Sequence, residues 1–255
     1  MLTDSIHQAT GCKHCIDQDS LGFEISMAFQ PIVDTASKTI FAHEALVRGP
    51  NGEPAGTIFA QVNDDNRYRF DQTCRVTAIE LAARLKISTY LHINFMPNAV
   101  YSPERCIRTT LEAAERFGFP PTRIVFEITE GEKITDHDHL RHIIQHYQNI
   151  GFLTAIDDFG AGYSGLNLLA DFQTDLVKLD MALVRNIHDD PIRESIVEGI
   201  VGVCKKLNIR VIAEGVETEA ELEALQRLNI ALFQGYYFAR PAFESIATPE
   251  GFTSA

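Results

Sequence analysis

Basic residues are scarce in this chain. Its 255 residues carry 22 Lys and Arg against 35 Asp and Glu, a formal charge of −13. A surface for duplex DNA or RNA needs a basic face, so no DNA or RNA duplex is expected as a partner. A small phosphorylated ligand stays open, because metal ions can supply local positive charge. No apolar run reaches about 18 residues, so no membrane span is expected. The opening Met1-Leu-Thr-Asp-Ser-Ile-His7 lacks the basic and apolar regions of a secretion signal. Cysteines number five, an odd and sparse set that points to a reducing, cytoplasmic setting and not to a disulfide scaffold. Cys74, Cys106 and Cys204 fall in helix-like segments and are expected in the core. Cys12 and Cys15 form a lone C-x-x-C around His14, which without a second pair reads as part of a polar arm. Internal repeats and low-complexity stretches are also lacking.

What is present is an ordinary globular composition, 45% apolar and 22% charged, at a length that suits one large domain or two small ones. Residues 1–22 are polar and aperiodic and are expected to form an N-terminal arm. Regular patterning follows. Glu24–Val33 and Lys38–Leu46 read as strands joined by the tight turn Asp34–Ser37, which allows only an antiparallel pair. Thereafter strands and helices alternate. Strands are expected at Leu91–Phe95, Arg123–Ile128, Phe152–Asp157, Asp175–Leu179, Arg210–Glu214 and Ala231–Gln234. Helices are expected at Asp71–Leu85, Pro103–Phe117, Asp138–Ile150, Ser164–Ala170, Pro191–Leu207 and Thr218–Leu228. Val76, Ile79, Ala83 and Leu85 would line the apolar side of the first. Ser102 is a candidate N-cap with proline after it, Gly118 a stop, and Thr218 with Glu221 a capping box. Eight strands in alternating βα units predict an α/β fold of the (β/α)8, TIM-like barrel type, with one antiparallel strand.

The apolar run Gly151–Ile156 ends in two adjacent carboxylates, Asp157 and Asp158, followed by a glycine-rich turn. Two such acids repel each other, and a divalent cation is their natural third party. Barrel active sites lie where the strands end. The polar residues there are Gln30, Glu44, Asn94, Glu127, Asp157 with Asp158, Lys178, Glu214 and Gln234. Any one of them is unremarkable as a solvated strand end, but a whole ring of acids with one Asn and one Lys is not explained that way. Carboxylates and an amide carbonyl are hard oxygen donors, and no His or Cys joins them, so magnesium or manganese is favoured over zinc or copper. An aspartate able to bridge suits two ions about 3.5–4 Å apart, clamping a phosphoryl group. Lys178 beside the acids should stay protonated. Gly160-Ala-Gly-Tyr-Ser-Gly165 also fits a dinucleotide-binding turn, but the two acids before it would repel a bare pyrophosphate. Asp158-Phe-Gly160 matches a kinase metal motif, yet no catalytic loop of that family precedes it.

These residues fall into ordered segments. They are Phe29-Gln-Pro-Ile32, Glu44-Ala-Leu-Val-Arg48, Asn94, Phe126–Glu130, Asp157–Ser164, Val177–Asp180, Ile212–Thr218 and Gln234–Tyr237. In these the chain resembles the EAL-domain cyclic-di-GMP phosphodiesterases, from about Phe23 to Pro241. The domain is accordingly expected at 23–245, with 246–255 a C-terminal tail. The resemblance implies metal-dependent hydrolysis of cyclic-di-GMP to linear pGpG. It implies Glu44, Asn94, Glu127 and Asp157 on one metal, and Asp157 with Asp158 on the second. Lys178 and Glu214 would handle the attacking water, Glu214 also as a possible metal ligand. Glu130 would anchor the loop after Asp158. Glu217 and Gln234 would give supporting contacts, and Gln30, Leu46, Arg48 and Gln234 would meet substrate, Arg48 at phosphate. A homodimer with that loop near its interface is implied too. Gly131 and Gly165 stand where relatives often have Ser, which should leave activity intact and loosen the loop Phe159–Leu166. Many relatives carry a sensor or GGDEF domain, for which this length leaves no room. A non-catalytic cyclic-di-GMP receptor of the same fold is the alternative.

Overall fold

The computed structural model describes residues 21–129, 136–162 and 165–254. Its first hairpin joins β1 (Ser26–Asp34) to β2 (Thr39–Arg48) as an antiparallel pair. Asp34 Oδ1 accepts from the Ala36 amide in the connecting turn. From β2 the sheet runs parallel through β3 (Tyr90–Asn94), β4 (Ile124–Thr129), β5 (Leu153–Phe159), β6 (Leu176–Leu179), β7 (Arg210–Ala213) and β8 (Leu232–Phe233). β8 then pairs antiparallel with β1 at Val33 and Asp34, which closes the ring. The eight-stranded barrel with one antiparallel strand is therefore present. Two further strands of two residues each, β9 (Ala242–Phe243) and β10 (Thr253–Ser254), flank the hairpin. They are too short to leave a periodic pattern in the sequence.

Helices connect the strands: α1 (Ala55–Phe59), α2 (Arg67–Arg84), α3 (Pro103–Phe117), α4 (His137–Asn149), α5 (Gly165–Asp171), α6 (Met181–Val184), α7 (Pro191–Lys206) and α8 (Glu219–Arg227). The expected capping box at α8 is formed, with Thr218 accepting from the Glu221 amide and Glu221 from that of Thr218. Gly118 ends α3 in the left-handed conformation, at φ 69°. Ser102 precedes α3 as expected, but its hydroxyl donates to Glu104 and does not cap the helix. The short α1 and α6 were not foreseen. Neither is long enough to show a helical period.

The expected apolar side of α2 is only part of what the helix buries. Ile79 is buried, Val76 and Leu85 pack half-buried against the same core, and Ala83 is half-buried. The buried side also includes the ion pair Asp71–Arg75 at 2.7 Å. The Arg75 guanidinium lies over the rings of Phe95, Phe126 and Tyr147, and Asp71 accepts from the Met96 amide. This buried ion pair takes places that the apolar pattern would give to Leu or Ile.

Strand alternation divides the barrel wall into two faces. Outward residues such as Ile93, Phe126, Ile156, Val177, Ala213 and Phe233 join the main core beneath the helices, together with Cys106 and Cys204. Inward residues Ile32, Ala42, Val125, Ala155, Leu176, Ile212 and Leu232 form a separate apolar layer. Two residues further along the same strands stand Glu44, Glu127, Asp157, Lys178, Glu214 and Gln234. The period of two therefore puts a polar layer directly on top of an apolar plug.

Candidate active site

The polar layer forms the floor of a cavity of about 1000 Å3. Gln30, Glu44, Leu46, Arg48, Asn94, Asp157, Asp158, Glu214, Glu217 and Gln234 all line it. Glu127 and Lys178 lie beneath, fully buried. The reason that both adjacent aspartates reach one site is local. β5 is bulged between Ile156 and Phe159, and Asp158 sits at φ 53°. In a regular strand Asp157 and Asp158 would face opposite sides of the sheet. The left-handed residue breaks the alternation, at a cost of about 1 kcal/mol that Asp tolerates better than most side chains.

Lys178 is the hub. Its Nζ lies 3.2 Å from Glu44, 3.0 Å from Glu127, 2.9 Å from Asp157 and 2.8 Å from Glu214. Burial alone would lower the lysine pKa, but these carboxylates outweigh it and hold the ammonium charged. Burial pushes Glu127 and Glu214 well up the scale, with neighbouring acids adding to it and Lys178 opposing it. Asp158 is pushed up to about 6 by burial, by Asp157 and by Asp180. These acids are crowded, dry and short of positive charge.

Two groups of ligand atoms lie close enough to hold ions, Glu44 with Glu127 and Asp157, and Asp157 with Asp158 and Glu214. Asp157 belongs to both. Every donor in the two groups is a carboxylate oxygen, the chemistry that hard divalent ions take. If Glu44, Glu127, Asp157, Asp158 and Glu214 are all ionised against the one ammonium of Lys178, four negative charges remain, which is the charge of two divalent cations. The residues present thus fit two such ions. Asn94 Nδ2 donates to Glu44 and Glu127, so Oδ1 is the atom that it could offer an ion.

The remaining expected residues are placed as follows. Gln30 and Glu44 are not at strand ends. They face each other in mid-hairpin register, because β1 runs against the other strands and β2 continues to Arg48. Gln234 Nε2 donates to Glu44 Oε2 at 2.7 Å and to Gln30 Oε1 at 3.1 Å, so it braces an acid as well as lining the cavity. Gly235 comes next, and a Cβ there would lie 2.0 Å from the Val216 carbonyl oxygen. Arg48 is folded onto its own chain, with Nη1 donating to the Val47 carbonyl. Glu217 sits on the cavity wall in an ion pair with Arg185 at 2.8 Å. Glu130, Gly131, Cys12, Cys15, and Tyr163 with Ser164 of the glycine-rich loop lie outside the described residues.

One polar residue beneath this layer, level with Val125, was not anticipated. His92, fully buried, places Nδ1 2.6 Å from Glu127 Oε1. Burial first, and then the cations Lys178 and Arg210, hold its pKa well below the ordinary value. With the ring held neutral, the contact is a hydrogen bond and not a salt bridge. Its position two residues before Asn94 on β3 was the available signal, since both must face the barrel interior.

Comparisons with known proteins agree with this architecture. Residues 16–241 match the family described as EAL domain. Among curated relatives, the chain is 34% identical over 227 residues to the blue light- and temperature-regulated antirepressor BluF of Escherichia coli K12, covering 88% of this chain and 56% of that protein. It is 34% identical over 229 residues to the probable cyclic di-GMP phosphodiesterase PdeG of the same organism, covering 86% and 45%. The chain thus spans about half the length of these curated relatives. Among solved structures, a standalone versatile EAL protein of Vibrio cholerae O395 in a c-di-GMP-bound form superposes with a TM-score of 0.88 at 56% identity, covering 91% of this chain and 98% of that one. Klebsiella pneumoniae BlrP1 in a manganese and cyclic-di-GMP complex gives 0.85 at 39% identity, covering 89% and 58%. With the family match spanning nearly the whole chain and the barrel built around a shared carboxylate floor, this chain belongs to the EAL-domain family.

Proposed function

We propose that the chain is a metal-dependent phosphodiesterase that hydrolyses cyclic-di-GMP to linear pGpG. The observation that carries this reading is the sharing of Asp157 between two carboxylate groups on the floor of one cavity. Glu44, Asn94, Glu127 and Asp157 would hold one ion, and Asp157, Asp158 and Glu214 the other, with magnesium or manganese as the metals. When bound, two such ions polarise a phosphodiester and lower the pKa of a water. Lys178 keeps its proton on Nζ and offsets charge at the phosphate. Glu214, at the edge of the cavity, receives the water's proton. Arg48 leaves the Val47 carbonyl to fork a phosphate. Gln30, Leu46 and Gln234 hold the substrate, and Glu217 supports the site from the wall. Glu130 is proposed as the anchor of the loop after Asp158.

The names of relatives support this reading. Manganese and calcium each accompany cyclic-di-GMP in complexes of BlrP1, and PdeG is named a probable phosphodiesterase. Calcium's looser coordination suits binding better than turnover. A receptor without catalysis is the second reading, favoured by the relative named an antirepressor. The complete acid set argues against it, since such a receptor needs none of the hydrolytic ligands. We place the chain in the cytoplasm, with residues 23–245 as the catalytic domain and the segments either side as arm and tail. We also propose a homodimer, supported by the exposed apolar side chains of Leu166, Ile192 and Ile196; sedimentation at the mass of one chain would contradict it. The function is tested by incubating the purified chain with cyclic-di-GMP and magnesium or manganese and separating the products. Formation of pGpG, lost on chelation, is expected. Tight binding with no pGpG would overturn the enzyme in favour of the receptor.

A further inference from the structure

The donors around Glu127 are unequal. Asn94 Nδ2 is shared between Glu127 and Glu44. Lys178 Nζ is shared among Glu127, Glu44, Asp157 and Glu214. Only His92, among the described residues, serves Glu127 alone, at 2.6 Å from Oε1. It approaches from one layer deeper, because in the β3–β4 register Asn94 is level with Glu127 and His92 with Val125. Lys178 Nζ straddles the carboxylate, 3.0 Å from Oε1 and 3.1 Å from Oε2, whereas Asn94 Nδ2 meets Oε2 alone. His92 and Asn94 thus hold opposite oxygens of Glu127 and fix the plane of its carboxylate.

The proton involved can be placed. The oxygens of an ionised Glu127 only accept, so the proton of this contact belongs on His92 Nδ1. His92 Nε2 is buried with no hydrogen-bond partner, so the ring serves no other group. The ring is fixed from the side by Phe41, whose ring meets it edge-on at 73° with centroids 6.3 Å apart. A side chain that merely filled this space would not need a donor aimed at one oxygen.

We propose that His92 is a positioning residue, which holds Glu127 by Oε1 from beneath and so fixes the orientation of that carboxylate toward the metal ion shared with Glu44 and Asp157. It touches neither substrate nor metal and acts only through Glu127. This rests on the two-ion reading above. Donors behind a metal ligand typically contribute about ten- to hundredfold in metal affinity.

The test compares manganese binding by calorimetry in the wild type, His92→Leu and His92→Asn, alongside cyclic-di-GMP binding in chelator. Asn can place its amide N–H near the position of Nδ1, whereas Leu keeps bulk and loses the donor. The leucine variant should weaken manganese binding by about ten- to hundredfold, the asparagine variant should recover most of it, and metal-free nucleotide binding should be the same in all three. Wild-type manganese affinity in His92→Leu would overturn the role, as would an asparagine variant as weak as the leucine one. A wild type that binds no manganese would overturn the two-ion reading itself. Imidazole nitrogen shifts of the metal-free wild type give an answer independent of either variant's folding. A proton on Nδ1 is expected, and one on Nε2 alone contradicts the assignment.

Discussion

At Lys178 one ammonium serves four carboxylates, and no solvent reaches it. Taking it away leaves buried acids with no counter-charge, a loss on the order of 3–5 kcal/mol for a broken buried pair. Lys178→Met should therefore unfold at clearly lower temperature than the wild type in chelator, and manganese should raise its melting point. An unchanged metal-free melting point would mean that the acids protonate freely and Lys178 has little structural role. A second residue gives a pH dependence. Burial lowers the His43 pKa to about 4, with Nδ1 on Thr89 Oγ1 at 3.0 Å. In the unfolded chain it titrates near 6.5, so on acidification the unfolded state takes up the proton first. Its contribution to stability is complete above about pH 6.5 and falls away down to about pH 4, by roughly 3 kcal/mol in all. Urea unfolding across that window should show a steeper loss in the wild type than in His43→Gln. Parallel slopes would contradict the assignment.

At the scale of elements, the bulge in β5 decides whether the site exists. Asp158 is held at φ 53° so that it can join Asp157 on the same side of the sheet. Asp158→Gly relaxes the backbone and removes a carboxylate that burial and its neighbours hold near pKa 6. Metal-free, that variant should melt at or above the wild-type temperature, while turnover collapses. A lower melting point with turnover intact would contradict both parts. Much of this level was legible in the sequence. The βα alternation, the first hairpin and the Thr218 capping box are local patterns, and the Asp157-Asp158 pair stands out at the end of an apolar run. The bulge was not legible, because strand alternation says only that two neighbours should diverge. Gln30 and Glu44 read locally as strand-end residues, because their mid-strand pairing follows from the antiparallel direction of β1 and not from any local signal. His92 does not stand out locally, because its partner lies 35 residues away on another strand. The cavity walls contributed by Phe59 and Phe70 likewise depend on how α1 and α2 pack, which no short window of sequence contains.

For the whole molecule, the acidic balance has a local counterpart. The floor of the cavity gathers five carboxylates around one lysine on a plug of apolar side chains, inside a closed barrel. The plug keeps water from beneath and the strands fix the spacing, so the excess charge can be relieved only from the cavity side. No described helix is long and apolar enough to cross a membrane. The central claim is that this floor holds two divalent ions on either side of Asp157. Anomalous diffraction from a crystal of the chain grown with manganese and cyclic-di-GMP measures that directly. Two manganese peaks flanking the Asp157 carboxylate, one toward Glu44 and Glu127 and the other toward Asp158 and Glu214, are the predicted result. A single peak, or none at Asp157 with nucleotide in the cavity, would contradict the account.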